Sequence, residues 1–299
     1  MPKGSIEAPA FAIDLGITLE CGQVFGWTKS DGAYFGIIGG SAVMLRQADG
    51  RIEFERDGGG LREIARYLGL DDDLSVMLRP ARPDPFIRRV MREVRGLRIL
   101  RQEPWHCLCS YLLSSSNRVE RIDKSVKDIA RRWGTRHTVS GREVYDLPGP
   151  DKLAGCGEAG MRSCGAGFRA PYLVRAAERV AGGEIDLERI RRMPYEEAKQ
   201  ALIALDGVGE KIADCVLLFA FSKFEAFPVD VWIKKAIETI YFDSRKVSTR
   251  EIRQFARDHY GAYAGYIQEY IYYYARTHGL EDRAGGQGGT DEERSARRS

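Results

Sequence analysis

Hydrophobic and polar residues alternate with two different periods along this chain, and the period changes after about residue 60. The segments AYFGIIG, SAVMLRQ and RIEFER place aromatic and β-branched residues in rough alternation, a pattern that predicts β-strands. Ala48-Asp49-Gly50, between the last two segments, is typical of a hairpin turn. LREIARYLGL, from Leu61, then predicts a short amphipathic helix. We therefore expect a β-rich N-terminal region.

Residues after the proline-rich segment RPARPDPF (79–86) follow a helical period instead. Ile87, Val90, Met91 and Val94 form an apolar stripe. Further helices are predicted at 104–113, 119–133, 171–180, 195–204, 211–221, 231–241, 249–259 and 263–278. We therefore expect an α+β fold with a small antiparallel sheet domain at 1–85, an all-helical core at 86–280 and a disordered tail at 281–299.

The composition is that of a globular protein with about two domains: 299 residues, of which 43% are hydrophobic. A net charge of +3 is too small to identify a nucleic-acid partner. The six cysteines lack paired-ligand spacing beyond one C-x-C, and the four histidines are scattered, so no metal site is predicted. The absence of a secretory leader and of an apolar run of about 18 residues predicts an intracellular protein with free thiols.

The stretch LDGVGEKIADC (205–215) joins two of the predicted helices. Gly207 and Gly209 permit a tight connection, whose exposed N–H groups would suit one phosphate, although two glycines more often mark an ordinary corner. Lys211 follows in the first helical turn, where the helix dipole disfavours positive charge and so favours the neutral, nucleophilic amine. Lys211 is therefore a candidate nucleophile, and an exposed surface lysine stays an open alternative.

FPVDVW places Asp230 where the next predicted helix begins. Its carboxylate would cap that helix, which is a sufficient structural role. The same hydrogen bonds are expected to keep the carboxylate ionised. An ionised carboxylate near an amine nucleophile suits a reaction that develops positive charge, such as cleavage of an N-glycosidic bond.

Together these motifs resemble the helix–hairpin–helix DNA glycosylases, which carry a similar hairpin followed by a downstream aspartate. ECGQVFGW (20–27) resembles the N-terminal signature of the 8-oxoguanine DNA glycosylases, and segments 97–122, 164–173 and 260–273 follow in that family's order. The resemblance runs from about residue 11 to 278. It implies a base-excision repair enzyme that flips 8-oxoguanine out of duplex DNA and excises it. It also implies two helical subdomains, about 123–224 and 86–122 plus 225–280.

The resemblance implies two catalytic residues. Lys211 matches the lysine that attacks C1′ and forms a Schiff base, which leads to strand cleavage by β-elimination. Asp230 matches the aspartate that stabilises the oxocarbenium-like transition state and aids proton transfer. No cofactor is implied, because the cysteines that hold an iron–sulfur cluster in endonuclease III relatives are missing after Cys215. A structural cation at the hairpin stays compatible with the resemblance.

Four residues are implied to hold the flipped base. The backbone carbonyl of Gly22 would accept the N7–H that 8-oxoguanine has and guanine lacks. Gln268 would bind the Watson–Crick edge, while Tyr272 and Cys215 would face the two sides of the ring. A spacing of four puts Gln268 and Tyr272 on one helix face, although spacing alone favours core packing for Tyr272.

Other residues are implied to contact the DNA around the gap left by the base. Arg121 and Arg169 match arginines that read the estranged cytosine, and Phe168 matches an aromatic wedge. Ser116 stands where eukaryotic enzymes have an asparagine, with Asn117 next to it, so strict preference for an opposite cytosine stays open. The phosphate contacts are implied at Gly207, Val208, Gly209 and Trp232.

Two departures and two alternatives accompany this interpretation. Trp232 replaces a family histidine, and its indole offers one donor and no charge. Tyr272 replaces a phenylalanine, which conserves stacking. An alkylpurine glycosylase of the same superfamily would lack Lys211, and a non-catalytic DNA-binding protein would need only the hairpin. We expect a monomer acting on double-stranded DNA.

Overall fold

The computed structural model describes residues 2–8 and 12–280, so the predicted tail at 281–299 lies outside the described residues. Five strands form the N-terminal sheet: β1 (Lys3–Glu7), β2 (Thr28–Ser30), β3 (Ala33–Ile38), β4 (Ser41–Ala48) and β5 (Arg51–Arg56). Their order is β1-β5-β4-β3-β2, and every neighbouring pair is antiparallel. The three predicted strands are confirmed, and the structure adds the two edge strands β1 and β2.

The predicted hairpin turn between β4 and β5 is present. Asp49 and Gly50 both have positive φ, at 49° and 72°, and Ala48 pairs with Arg51 across the turn. One face of the sheet packs against α1 (Leu15–Glu20) and α2 (Leu61–Tyr67), which bury Leu15 and Ile64 in the same cluster as the strands. The sheet domain therefore has its own hydrophobic core.

Twelve further helices make up most of the remaining described chain. They are α3 (Leu74–Met77), α4 (Pro85–Glu93), α5 (Pro104–Leu113), α6 (Val119–Trp133), α7 (Pro150–Ser163), α8 (Ala170–Ala181), α9 (Leu187–Arg192), α10 (Tyr195–Ile203), α11 (Glu210–Phe221), α12 (Val231–Tyr241), α13 (Thr249–Tyr260) and α14 (Ala264–His278). All eight predicted core helices are confirmed to within about one residue, and α3, α7 and α9 were not predicted. Within the part of the chain that the structure describes, no helix is long and apolar enough to cross a membrane.

The sequence predicted an all-helical core, and the structure differs from this prediction. A hairpin of β6 (Thr135–Val139) and β7 (Arg142–Asp146) lies between α6 and α7. Ser140 and Gly141 form its turn with φ of 48° and 72°, which favours a two-residue hairpin. Val139 and Val144 are buried against the second face of the N-terminal sheet. The α+β class is confirmed, but this hairpin belongs to the chain after residue 86.

Helices α5 and α11 lie at the centre of the helical core. Nearly every residue of both is buried, which is the pattern of a helix that is surrounded by other elements. The C-terminal end of α5 and the N-terminal end of α11 meet, because Ser114 Oγ lies 3.5 Å from Lys211 Nζ. The core thereby presents the first turn of α11, with its lysine, at one end of the packed pair.

Candidate active site

A small cavity of about 50 Å³ lies at the N-terminal end of α11. It brings together six of the predicted site residues: Gly22, Lys211, Cys215, Asp230, Gln268 and Tyr272. They come from four separate parts of the chain, so the fold gathers into one cavity what the sequence presents as scattered motifs. Four further residues line it: Tyr111, Phe219, Pro228 and Glu269.

Lys211 projects into this cavity from the first turn of α11, one residue after its start. Gly209 is the N-cap of the helix, with extended φ and ψ of −89° and 177°, and contributes no side-chain cap. The Nζ atom lies 3.5 Å from Ser114 Oγ and 5.2 Å from the centroid of the Tyr111 ring. Only a weak hydrogen bond and a ring face therefore hold the amine, which leaves it free to approach a substrate.

Asp230 is the N-cap of α12, as predicted. Its Oδ1 accepts a hydrogen bond of 2.8 Å from Ile233 N. Burial raises the pKa of the Asp230 carboxyl above its usual 3.8, so the expected stabilisation of the ionised form by these hydrogen bonds is opposed by desolvation. The bond from Ile233 and the charge of Lys211 offset only part of this effect. The raised pKa makes Asp230 a better proton acceptor than a solvated aspartate.

Gly22 occupies a backbone conformation that favours glycine. Its φ is 101°, and a Cβ built there would lie 2.8 Å from Arg276 Nη1. The buried side chain of Gln23 fixes the same loop: its Nε2 donates to Thr18 O and Arg98 O, and its Oε1 accepts from Leu100 N. The glycine–glutamine pair of the sequence motif thus has a physical role, since it holds the Gly22 backbone against the cavity.

Cys215 and Tyr272 stand on the walls of the cavity. Burial raises the pKa of the Cys215 thiol to about 12, although the nearby charge of Lys211 acts in the opposite direction. The thiol is therefore neutral at physiological pH and suits packing against a ring. Tyr272 is only partly buried, and its hydroxyl lies 3.5 Å from Arg276 Nη1.

Two adjacent side chains of α14 leave acceptor atoms without partners in this cavity. Gln268 Oε1 and Glu269 Oε1 are both buried, and neither has a hydrogen-bond partner among the residues that the structure describes. Such an atom costs about 1–3 kcal/mol when it stays unsatisfied. A ligand whose polar groups complement these two oxygens would relieve that cost, so the two atoms mark a binding site.

The residues predicted to contact the opposite base lie on two adjoining loops and, for Arg121, in the first turn of α6. Arg169 is largely buried and donates from Nε to Ser115 O at 2.6 Å and from Nη2 to Ser116 O at 2.9 Å. Phe168 is 54% exposed, with the Arg169 guanidinium 4.2 Å from its ring centroid. Ser116 and Arg121 are exposed, whereas Asn117 Nδ2 donates to Leu113 O at 3.0 Å. In this structure Arg169 fastens the two loops together, and its contact with cytosine stays a prediction.

The residues predicted to contact phosphates lie at the N-terminal ends of α11 and α12. Gly207 has a φ of 80°, and a Cβ there would lie 2.5 Å from the Tyr172 ring, so the tight corner requires glycine. Val208 is buried, while open space surrounds the Cβ position of Gly209. Trp232 is 39% exposed at the start of α12. The corner therefore combines a structural requirement with an accessible backbone.

A much larger cavity of about 660 Å³ lies between the N-terminal sheet, β7 and the far ends of α5 and α11. Phe221 lines it, about 15 Å along α11 from Lys211. Several of its charged side chains are already paired: Arg101 contacts Asp71 and Asp72, and His106 Nε2 lies 3.4 Å from Asp146. Size alone would favour this cavity, but the cluster of reactive groups favours the smaller one.

Comparisons with known proteins identify the family of this chain. Residues 5–108 match the model of the 8-oxoguanine DNA glycosylase N-terminal domain. The chain is 32% identical to the N-glycosylase/DNA lyase of Arabidopsis thaliana over 282 residues, which cover 87% of this chain and 76% of that protein. The chain belongs to the 8-oxoguanine DNA glycosylase family. A probable N-glycosylase/DNA lyase of Methanothermobacter thermautotrophicus is 39% identical over 63% of this chain and 66% of its own length.

A solved member of the family has the same fold. The 8-oxoguanine glycosylase/lyase of Clostridium acetobutylicum, in complex with DNA that contains cytosine opposite 8-oxoguanine, superposes with a TM-score of 0.85 at 32% identity. The match covers 90% of this chain and 93% of that one. The 3-methyladenine DNA glycosylase of Archaeoglobus fulgidus superposes with a TM-score of 0.79 at 22% identity, which shows a shared fold alone.

The sequence reasoning missed four wall residues of the cavity in this family member. Tyr111 and Phe219 have stacked rings, with centroids 5.6 Å apart, and belong to helices that are buried all round. Pro228 lies in the motif that located Asp230 and could have been found from it. Glu269 carried a usable signal, because a glutamate beside Gln268 in an otherwise apolar and aromatic helix is unusual.

Behind α11 lies a second group of buried charges, outside the cavity. Asp214 Oδ1 is 3.0 Å from Lys199 Nζ and accepts from Tyr195 OH at 2.6 Å, and Asp214 Oδ2 is 3.1 Å from Arg253 Nε. Arg253 also pairs with Glu210. We call these five residues the α11 charge network. It ties α10 and α13 to the helix that carries Lys211.

Proposed function

We propose that this protein excises 8-oxoguanine from duplex DNA with Lys211 as the nucleophile and then cleaves the strand at the same site. The observation that carries the proposal is the meeting of an amine, a carboxylate and an unpartnered amide oxygen in one cavity: Lys211, Asp230 and Gln268. The sequence similarity to N-glycosylase/DNA lyases supports both steps. An alkylpurine glycosylase would lack the lysine, and a non-catalytic DNA-binding protein would need only the hairpin. Neither alternative therefore uses this combination.

The chemistry follows from the two catalytic groups. The neutral amine of Lys211 attacks C1′ of the nucleotide while the bond from C1′ to the base nitrogen breaks, and the base leaves with a proton. Asp230 stabilises the positive charge that develops on the sugar and accepts a proton from the attacking nitrogen, a role that its raised pKa supports. The C1′–O4′ bond of the resulting aminal then breaks as O4′ gains a proton, which opens the sugar ring and forms a protonated Schiff base. Loss of a C2′ proton from this Schiff base expels the 3′ phosphate. Hydrolysis of the imine releases the lysine.

The small volume of the cavity implies that the base enters by displacing side chains. An apolar cavity of about 150 Å³ binds benzene, whereas this one measures about 50 Å³. The target base must also leave the stack, because C1′ is not accessible inside a duplex. Tyr272 and Lys211 are only partly buried, so they are the wall residues best able to move. We propose that base entry and opening of the cavity occur together.

Recognition of the oxidised base rests on hydrogen-bond polarity. The N7–H of 8-oxoguanine can donate to the carbonyl of Gly22, whereas the N7 lone pair of guanine would face the carbonyl lone pair. Gln268, 4% exposed, provides an acceptor without a partner for the Watson–Crick edge. Duplex DNA is thus the partner, and the site of action is the nucleoid of a prokaryote or the nucleus of a eukaryote. We propose no resident cofactor for the reaction, and a cation at the hairpin remains a prediction.

The direct test compares damaged bases in otherwise identical duplexes. We expect excision of 8-oxoguanine opposite cytosine and little excision of 3-methyladenine. Excision of 3-methyladenine alone would favour the alkylpurine alternative, and DNA binding without any excision would favour the non-catalytic one. Repeating the assay with each of the four bases opposite 8-oxoguanine reports on Ser116. A preference for cytosine of tenfold or less corresponds to about 1.4 kcal/mol of discrimination or less.

A further inference from the structure

Glu269 is a buried carboxyl in the base cavity that has no part in the mechanism above. It is 2% exposed on α14, next to Gln268 and three residues before Tyr272. Its Oε1 has no partner within the described ranges 2–8 and 12–280. A side chain held in this way, in a cavity meant for a ligand, suits direct contact with that ligand.

Glu269 approaches the cavity at the end where Gly22 lies. Cys21, the residue before Gly22, is near enough for its thiol to lower the pKa of the Glu269 carboxyl, while its hydrogen bond of 3.4 Å goes to Thr18 O. Tyr272, on the same helix, places its hydroxyl 3.6 Å from the Cβ position of Gly22. Gly22 is proposed to read N7–H, and the C8 carbonyl of 8-oxoguanine is bonded to the carbon next to N7. A base read in this way by Gly22 would turn its C8 oxygen towards the part of the cavity that Glu269 lines.

The surroundings of Glu269 favour a proton on its carboxyl. Burial raises the pKa of Glu269 to about 7, and the nearby carboxylate of Asp230 acts in the same direction. The Cys21 thiol and the charges of Arg276 and Lys211 oppose this shift in part. Tyr111 and Cys215, on α5 and α11, also face the group, and burial keeps both neutral by raising their pKa values. A neutral carboxyl can donate a hydrogen bond, and a carboxylate cannot.

We propose that the neutral carboxyl of Glu269 donates a hydrogen bond to the C8 carbonyl oxygen of 8-oxoguanine and is a specificity-determining residue of this enzyme. The inference rests on the proposed function. Guanine has C8–H at this position and offers no acceptor, so Gly22 and Glu269 would read the two neighbouring atoms that oxidation changes. An ionised Glu269 would face the C8 oxygen with lone pair against lone pair and reject the substrate.

The test compares Glu269→Gln and Glu269→Leu with the wild type, and uses Tyr270→Phe as a control. Tyr270 is also buried on α14 and its hydroxyl donates to Leu97 O, outside the cavity. Excision of 8-oxoguanine is measured at sub-saturating enzyme between about pH 6 and 9, because that rate reports the ionisation of the free enzyme. Cleavage of a pre-formed abasic site is measured in parallel, because this step needs Lys211 but involves no nucleobase.

Wild-type excision should decline as the pH rises through about 7, the pKa of Glu269. Glu269→Gln should lose this decline, because its amide donates at every pH. Glu269→Leu should lose about threefold to tenfold in excision at low pH, the worth of one neutral hydrogen bond, and should lose less in abasic-site cleavage. Tyr270→Phe should keep the wild-type pH profile.

Three results would overturn the proposal. Glu269→Gln could retain the wild-type decline, Glu269→Leu could excise as well as Tyr270→Phe, or both activities of Glu269→Leu could fall equally, as a structural role requires. Wild-type protein that excises no 8-oxoguanine at any pH would overturn the proposed function as well. Failure of the inference alone is distinct, since the wild type then excises the base and only the variants depart from expectation.

Discussion

Helix α11 borders two regions of buried charge that differ in how completely their polar atoms are paired. In the α11 charge network, both oxygens of Asp214 have partners, namely Lys199 and Arg253 at 3.0 and 3.1 Å. In the base cavity, the side-chain acceptors of Gln268 and Glu269 are left without partners in the described structure. Asp214 and Glu269 are both almost fully hidden from solvent, so burial alone does not separate the two regions.

The difference separates a structural role from a binding role. The network stabilises the position of α11, because removal of Asp214 would leave the buried charge of Lys199 uncompensated. An incomplete set is unfavourable in the free protein and becomes favourable only when a ligand completes it. The charge network should therefore govern stability, and the base cavity should govern catalysis. Five substitutions test this separation.

The largest effect is expected at Lys211, with Lys199 as its matched control on the other side of α11. Lys211→Gln should abolish excision and strand cleavage while the free energy of unfolding hardly changes, because its amine has only a weak contact at 3.5 Å. Lys199→Gln should lower stability and retain activity in the folded protein. Single-turnover assays and urea unfolding measure the two effects. Retained excision by Lys211→Gln would refute the nucleophile assignment.

The next effect concerns the charge network. Asp214→Ala should lower the free energy of unfolding by about 3–5 kcal/mol, because it leaves the buried ammonium of Lys199 and the guanidinium of Arg253 without their shared partner. Urea denaturation of this variant and the wild type gives the difference. A loss below about 1 kcal/mol, the scale of an exposed ion pair, would mean that the network does not stabilise the fold.

Asp230→Asn should act on the reaction rather than on the fold. Asparagine also caps a helix, so stability and DNA binding should remain close to the wild type. Excision should slow by about 10²–10³-fold, the effect of removing one group that stabilises transition-state charge. Burst kinetics on 8-oxoguanine duplexes, with binding measured separately, checks this expectation. A near-normal rate would leave Asp230 with its capping role alone.

The smallest effect is a change in stability with pH at Glu269. Its pKa of about 7 in the folded protein exceeds its usual 4.5, so its contribution to stability is complete below pH 4.5 and is lost as the pH rises through about 7. Relative to Glu269→Gln, the wild type should lose about 3 kcal/mol over this interval. The free energies of unfolding of the wild type and Glu269→Gln are compared at about pH 5 and pH 8. An equal difference between the two proteins at both pH values would contradict this expectation.

Much of the helical fold could be predicted because each helix shows a period and a signal at its ends. The helices at 104–113, 119–133 and 231–241 begin and end as predicted. The hairpin of β6 and β7 was missed because its two valines are the only clear apolar positions, and their burial depends on the N-terminal sheet far away in sequence. Helix α7 was missed because Gly157, with a φ of 64°, interrupts it.

The sequence predicted those site residues that belong to recognisable motifs. Lys211, Asp230 and Gly22 were found from local sequence and the resemblance, and the structure brings them together. The raised pKa of Asp230 was not predicted, because the sequence shows the cap but not the burial that outweighs it. Glu269 was missed for the same reason: its chemistry arises from desolvation by residues that are distant in the chain.

The most direct test of the account locates the covalent bond between enzyme and DNA. Borohydride reduction during the reaction with an 8-oxoguanine duplex should trap a stable adduct, and digestion with mass spectrometry should place it on the peptide that contains Lys211. The account predicts a single adduct at this lysine, with no adduct in Lys211→Gln. An adduct on another amine, or an equal yield from Lys211→Gln, would contradict it.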